Sequence, residues 1–140
     1  MTNTWVAQVG NESVGIASLD ELRAILSRTG KAAGQEFWLE HSDGRSICML
    51  RNGHRALLMF RDADDGSLVA LADGGVPDVP AVEFTLANGQ RDEYPAAWTV
   101  SAEQAIAALE HFFATATMAP FLAWTDDGAT RRATTRYENR

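Results

Sequence analysis

Three glycine-containing turn signals constrain the fold of this chain more than any other feature. Asp43-Gly44, Asn52-Gly53 and Asn88-Gly89 each separate two short segments that are interpreted as strands. These dipeptides tolerate the positive φ angles of tight hairpin turns, so each predicts a reversal between neighbouring antiparallel strands. Residues 36–71 are therefore predicted to form strands joined by tight turns.

Six segments are predicted as the main strands, and the first four run consecutively as an antiparallel meander. Ala56–Phe60 is apolar throughout, which predicts a place at the centre of the sheet. Thr4–Gln8 is predicted as an edge strand and Phe121–Trp124 as a short closing strand. The six main strands are Glu36–His41, Ser46–Arg51, Ala56–Phe60, Ser67–Leu71, Ala81–Leu86 and Gln90–Tyr94.

Two helices are predicted from capping boxes, in which a Ser and a residue three positions later bond each other's backbone amides. Ser18 with Glu21 begins a helix over residues 19–29, and Ser101 with Gln104 begins a helix over residues 102–114. Apolar residues follow each box at helical spacing. The predicted fold is α+β, an antiparallel sheet of about six strands with two helices packed on one face.

A length of 140 residues suits a single domain, predicted over residues 1–127 with a flexible polar tail over 128–140. No apolar run is long enough to predict a membrane span, and the N-terminus has neither the basic start nor the apolar run of a secretion signal. Cys48, the one cysteine, excludes an internal disulfide and suits a reducing compartment. These features predict a cytoplasmic protein.

The charge of the chain is unevenly distributed. The net charge is −7, yet residues 62–127 carry twelve acidic side chains and one basic side chain, Arg91. Such a segment argues against nucleic acid as a direct ligand, because that binding depends on neutralising phosphates. It favours a basic partner, since an anionic surface steers cationic molecules. The alternative is a solvated acidic face without a partner.

No catalytic or metal-binding motif is recognised. His41, His54 and His111 have no further ligand at a suitable spacing, and Cys48 is interpreted as a buried, inert thiol. The acidic stretch 62–73 departs from the spacing of a calcium-binding loop. Neither an enzymatic activity, nor a cofactor, nor a metal is predicted.

The four tryptophans are many for a chain of this length. All four are interpreted first as core residues between helix and sheet, Trp124 most strongly. Trp98 lies between the last main strand and the second helix, where an exposed ring would serve as an aromatic anchor for a partner. Both interpretations of Trp98 stay open at this point.

The second half of the chain resembles an Imm-type immunity protein, of the family found beside deaminase toxins of bacterial polymorphic-toxin systems. Those toxins include deaminases that act on double-stranded DNA. The hairpin Asn52-Gly53 with Arg55–Phe60 is also similar to that family, and the resemblance departs after Thr115, where Ala116 replaces an expected glycine. The residues that carry it are Asn88–Gln90, Asp92–Pro95, Val100–Ala105, Ala108–Glu110, Phe112–Thr115, Pro120 and Leu122–Trp124.

The resemblance implies a protein without catalysis of its own that neutralises a secreted toxin by occluding its active site. A nucleic-acid deaminase holds a polyanion, so its working face is expected to be basic and complementary to the acidic segment. The predicted contacts are six carboxylates and one aromatic anchor. They are Asp62, Asp64, Asp65, Asp73, Asp92, Glu93 and Trp98.

Two other functions are left open by the residues themselves. One is a general protein-interaction domain without a toxin partner. The other is a small-molecule-binding or enzymatic α+β domain with a pocket around Trp38 and His41, which predicts a deep apolar cavity with converging polar groups.

Overall fold

The computed structural model describes residues 4–10, 12–29, 35–64, 66–72 and 78–126, with the backbone alone at 29 and 35. Residues 65, 73–77 and 127–140, which include two predicted contacts and the predicted tail, lie outside the described residues. The elements are β1 Trp5–Val9, β2 Glu12–Ile16, α1 Leu19–Thr29, β3 Gln35–His41, β4 Ser46–Asn52, β5 Arg55–Arg61, β6 Ser67–Leu71, β7 Ala81–Thr85, β8 Arg91–Pro95, a 3₁₀ turn Ala96–Trp98, β9 Thr99–Ser101, α2 Ala102–Thr115 and β10 Ala123–Asp126.

The predicted meander is confirmed as β3, β4, β5 and β6, each antiparallel to the next. Gly44 and Gly53 have positive φ angles of 102° and 62°, which explains why glycine occupies these tight turns. The apolar strand β5 lies inside the sheet, between β4 and β6, and also pairs with β9. Its predicted central position is therefore confirmed.

The N-terminal strand differs from its prediction. β1 is not an edge strand, because it pairs with β3 on one side and with β2 on the other. The sequence analysis missed β2, whose apolar residues are limited to Val14 and Ile16 and whose first two residues are exposed. In the described residues the main sheet has eight strands, in the order β10-β6-β5-β4-β3-β1-β2 with β9 beside β5.

Strands β7 and β8 form a separate two-stranded hairpin rather than an extension of the main sheet. Alternation along both strands buries Phe84 and Tyr94 on one side and exposes Glu83 and Glu93 on the other. The buried side packs against one face of the main sheet, which we call the hairpin face, through Cys48, Leu50, Leu57, Val69 and Trp98. The α+β class is confirmed, with more strands than predicted.

Both helices cover the opposite face of the main sheet, which we call the helix face. Leu22 of α1 and Phe112 of α2 are fully buried against Phe37, Leu39 and Leu58 of the strands. The capping box of α2 is complete: the Gln104 amide donates to Ser101 Oγ at 3.0 Å and the Ser101 amide to Gln104 Oε1 at 3.3 Å.

At α1 only half of the predicted box forms. The Glu21 amide donates to Ser18 Oγ at 3.2 Å, but the Glu21 carboxylate accepts from the Ala17 amide at 2.6 Å rather than from Ser18. The helix nevertheless begins and ends where predicted, because the exchanged partner still satisfies an amide beside its first turn.

Helix α2 ends on a strained residue. Ala116 has a left-handed backbone with φ 59°, and its amide donates to the Phe112 carbonyl to close the last turn. A side chain makes this conformation costly, and glycine is the usual residue at this position. The departure from the immunity-protein pattern noted at Ala116 therefore falls where the backbone needs glycine most. Arg45 holds the turn by donating to the Ala116 carbonyl.

The closing strand begins two residues later than predicted, as Ala123–Asp126 beside β6. Phe121 is 49% exposed and precedes the strand. Trp124 packs beside Phe60, and its indole N–H donates to the Ala119 carbonyl at 3.0 Å, which agrees with its interpretation as a core residue. Neither described helix has the length and apolar character needed to cross a membrane.

Candidate partner-binding site

The two faces of the main sheet differ in how much of them is covered. The β7–β8 hairpin lies against the hairpin face near the β4–β5 turn, where Asn52 Nδ2 donates to the Glu83 carbonyl at 2.8 Å. Beyond the hairpin lies a depression of about 350 Å³ toward the other end of the strands, which we call the groove. Its walls come from β1, β3, β4, β5 and two turns: Gln8, Trp38, Glu40, Gly44, Ser46, Arg61, Asp62 and Ala63.

Trp38 stands at the boundary between the hairpin and the groove. It packs against the core beneath the hairpin, and its indole N–H donates to Glu36 Oε2 at 2.8 Å. The other oxygen, Glu36 Oε1, accepts from the Ala87 amide in the β7–β8 turn at 2.9 Å. The Glu36 carboxylate thus orients the Trp38 ring and holds the hairpin in place. The shape of the groove depends on both of these hydrogen bonds.

The groove is polar, with two carboxylates and one guanidinium among its lining side chains. Glu40 accepts from Gln8 Nε2 at 3.0 Å, which holds its carboxylate across the floor. One carboxylate oxygen of Asp62 is used within the β5–β6 turn: Oδ1 accepts from the amides of Asp64 and Gly66 at 2.9 and 2.8 Å. Arg61 is exposed beside them and supplies the one positive charge of the lining.

Of the predicted contacts, Asp62 is exposed and lines the groove, and Asp64 is exposed in the adjoining β5–β6 turn. Glu93 is exposed on the outer side of the hairpin, directly opposite Glu83 in the register. Like charges placed opposite each other destabilise a strand pair, so a cation brought against Glu83 and Glu93 would relieve that repulsion. No described residue forms an ion pair with either glutamate.

Two predicted contacts are buried, which corrects the expectation that they are available at the surface. Trp98 is 5% exposed and stacks on Tyr94 with ring centroids 6.2 Å apart, so it is a core residue rather than an exposed anchor, but it lies between the hairpin and the sheet and not between a helix and the sheet. Asp92 is 8% exposed on the sheet-facing side of the hairpin, where its carboxylate accepts from Gln90 Nε2 at 3.0 Å. Asp65 and Asp73 lie outside the described residues.

The described carboxylates share a face but not a cluster. Asp62 follows Arg61, which pairs with Ser46 at one end of β4, whereas the hairpin is tied to Asn52 at the other end. Six residues of strand separate these ends, a span of about 20 Å. The groove with Trp38 and Glu40 occupies the space between them.

The sequence left open a deep apolar pocket around Trp38 and His41, whereas the groove contains Trp38 without His41 and is lined mainly by polar side chains. The alternation that buries Phe37 and Leu39 on the helix face places Trp38 and Glu40 on the opposite face. What the sequence did not reveal is how far the hairpin extends over that face. His41 does not line the groove: its ring packs edge-on against Trp5, with centroids 4.6 Å apart.

The metal-ligating side chains and the cysteine of the described residues were also candidates for chemistry. No group of three or more His, Cys, Asp or Glu side chains is placed to hold a metal ion among the residues that the structure describes. Burial raises the pKa of the Cys48 thiol well above its usual range, with a smaller contribution from Glu36, so the thiol is held protonated. This agrees with its interpretation as an inert core residue.

The described residues form an α+β domain in which part of one sheet face is left open, with exposed carboxylates at both ends of that face. The family model of immunity protein Imm1 matches residues 10–126, which is most of the chain. The chain therefore belongs to the Imm1 immunity protein family. The comparison with curated proteins gives no match.

Proposed function

We propose that this chain neutralises a secreted nucleic-acid deaminase toxin by covering its active site with the hairpin face. Membership of the Imm1 family supports the immunity role and implies a toxin as partner. The observation that carries the finer proposal is that exposed carboxylates lie at both ends of the hairpin face, with Asp62 at the groove and Glu83 opposite Glu93 on the hairpin. The chain acts in the cytoplasm of the producing cell, without a cofactor and without catalysis of its own.

Electrostatic complementarity supports the choice of toxin. A deaminase that acts on nucleic acid needs a basic surface around the pocket that receives the extruded base. Carboxylates at both ends of the hairpin face would engage that surface at two places about 20 Å apart. Long-range attraction raises the association rate, whereas the lifetime of the complex depends on buried, well-packed contacts.

The groove supplies the candidate for those buried contacts. Trp38 offers an aromatic ring already fixed by its bond to Glu36, so little conformational entropy is lost when a partner packs on it. Glu40 and Asp62 beside it are acceptors for a basic side chain of the toxin. Asp65 and Asp73 are kept as proposed contacts. Asp92 and Trp98 are proposed to shape the hairpin from beneath.

Co-expression and enzymology together test this proposal. The toxin encoded beside this gene is expressed with and without the chain, and its deamination of DNA and RNA is measured with purified proteins. We expect survival only with the chain, and complete loss of deamination at a one-to-one ratio. Equal cell death in both cultures would remove the immunity role, whereas protection from a toxin that does not deaminate nucleic acid would remove only the deaminase.

Charge reversal tests the surface. The double variant Asp64→Lys with Glu93→Lys should slow association with the toxin about tenfold and flatten its salt dependence, because two steering charges change sign. The matched control is Glu12→Lys with Asp20→Lys, two exposed carboxylates on β2 and α1 away from the groove. Stopped-flow association rates compare the two. Equal slowing in both variants would show that total charge matters and that the hairpin face does not.

A further inference from the structure

A second depression of about 350 Å³ lies at the other side of the molecule, where the β4–β5 turn meets the beginning of α2. It belongs to the helix face and has no lining residue in common with the groove. Its lining combines a buried cation, an exposed histidine and the first turn of a helix: Arg51, His54, Ser101, Ala102, Glu103 and Ile106.

Arg51 is the unusual member of this lining. It is only 8% exposed, and its Nε donates to the Gly53 carbonyl at 3.0 Å. No described residue accepts from its Nη1 or Nη2, and none forms an ion pair with it. A buried guanidinium without a counter-charge is costly, because its hydration is lost without replacement. Among the residues that the structure describes, the outer edge of the guanidinium therefore has no acceptor, and Arg51 lines the depression.

The helix beside Arg51 adds a donor of the same kind. The first amides of an α-helix have no partner within the helix. At α2 the Ala102 amide donates to the His54 carbonyl at 2.8 Å and the Gln104 amide to Ser101 Oγ at 3.0 Å, which leaves the Glu103 amide. The positive end of a fourteen-residue helix thus lines the same depression as Arg51.

We propose that this depression, the Arg51 site, binds one carboxylate group. Its two oxygens match the paired Nη1 and Nη2 donors of Arg51, a geometry that a guanidinium forms with a planar carboxylate. The Glu103 amide and the His54 ring are further donors at the rim. The exposed Glu103 side chain adds one negative charge, which disfavours a doubly charged phosphate and selects a monoanion.

Acetate is the probe for this site, and acetamide of the same shape is its neutral control. ¹H–¹⁵N NMR of the wild-type chain at constant ionic strength follows the Arg51 Nε–H and the Glu103 amide. We expect saturable shifts of both signals with acetate and none with acetamide. Shifts that are equal for both probes, or that never saturate, would overturn the proposal.

Two variants with opposite expected effects distinguish acetate binding at the Arg51 site from a non-specific effect of the protein's net charge. Arg51→Met, which keeps a long apolar stem, should weaken acetate binding about tenfold or more. Glu103→Gln should tighten it about threefold by removing a repelling charge. Arg23→Met, at an exposed arginine paired with Glu110, is the control and should change nothing. Acetate binding that is unaffected by both Arg51→Met and Glu103→Gln contradicts the assignment.

The Glu103→Gln and His54→Ala variants keep the test decisive even if Arg51→Met does not fold, because both positions are exposed. His54→Ala should weaken acetate binding, and no change in either variant would count against the site. The blocked peptide Ac-Ala-Glu-Ala-NH₂ and its Gln counterpart then identify the source of the carboxylate. Binding of the Glu peptide tighter than acetate indicates a protein side chain, and equal binding indicates a free small carboxylate.

Discussion

The two faces of the main sheet are built from the same strands, yet they are covered in different ways. The helix face is covered by α1 and α2, and its core joins residues from both helices to seven strands. The hairpin face has a smaller core under β7 and β8, and the groove beside it is lined mainly by polar side chains. The helix face thus holds the larger core, and the hairpin face is the one that we propose for recognition.

The largest expected effect on stability comes from disrupting the core of the helix face. Phe112 is fully buried, with its ring 4.9 Å from Trp5 and 5.6 Å from Phe60 between centroids. Phe112→Ala should lower the free energy of unfolding by about 3–5 kcal/mol, because a large cavity is left among rings that cannot close it. Urea unfolding measures the loss. A loss below about 1 kcal/mol would show that α2 is not essential to this core.

Breaking the hairpin core should cost somewhat less and act locally. Phe84 is fully buried on the inner side of β7, beside Tyr94. Phe84→Ala should cost about 3 kcal/mol. It should also speed amide hydrogen exchange in β7 and β8 while leaving α2 protected. Exchange that rises equally in α2 would show that the two faces unfold as one unit.

Phe84→Ala also tests whether the hairpin face, rather than the helix face, binds the toxin. Because the hairpin carries Glu83 and Glu93 and contacts Glu36, its loosening should weaken toxin binding beyond the loss of stability. Phe84→Leu, which keeps most of the apolar volume, is the matched control and should bind the toxin nearly normally. Normal toxin binding by Phe84→Ala at a temperature where the variant is folded would remove the hairpin from the interface.

The smallest expected effect is a gain in stability. Ala116→Gly should raise the free energy of unfolding by about 1 kcal/mol, because glycine removes the strain of the left-handed backbone at φ 59°. The control is Ala114→Gly, at an exposed position inside α2, which should lower it by about 1 kcal/mol. Toxin affinity should not change in either variant. A loss of stability in Ala116→Gly would mean that strain at this turn is offset by contacts of the Ala116 methyl group.

Local chemistry made much of the fold predictable. The turn glycines located β3 to β8, and Ser101 with Gln104 located α2, because these signals act within a few residues. β2 could not be predicted, since a strand with two apolar residues is recognised only once β1 is there to pair with it. Whether β7 and β8 extend the sheet or pack on it depends on long-range packing of Phe84 and Tyr94, which no local pattern reveals.

The candidate site was predictable in its charge and not in its shape. Asp62, Asp64 and Glu93 are exposed as their polar surroundings indicate. Asp92 and Trp98 are buried because the hairpin folds onto the sheet and removes both side chains from solvent. Glu83 was added to the candidate surface because the strand register places it opposite Glu93. That register is known only once β7 and β8 are paired.

Carboxylate footprinting of the complex tests most directly whether the hairpin face binds the toxin. Exposed carboxylates are coupled to glycine ethyl ester by a water-soluble carbodiimide, alone and with the toxin bound, and mass spectrometry reads each site. The account predicts strong protection of Asp64, Glu83 and Glu93, with unchanged labelling at Glu12 and Asp20. Protection of Glu12 or Asp20 with full labelling of Glu83 and Glu93 would contradict it.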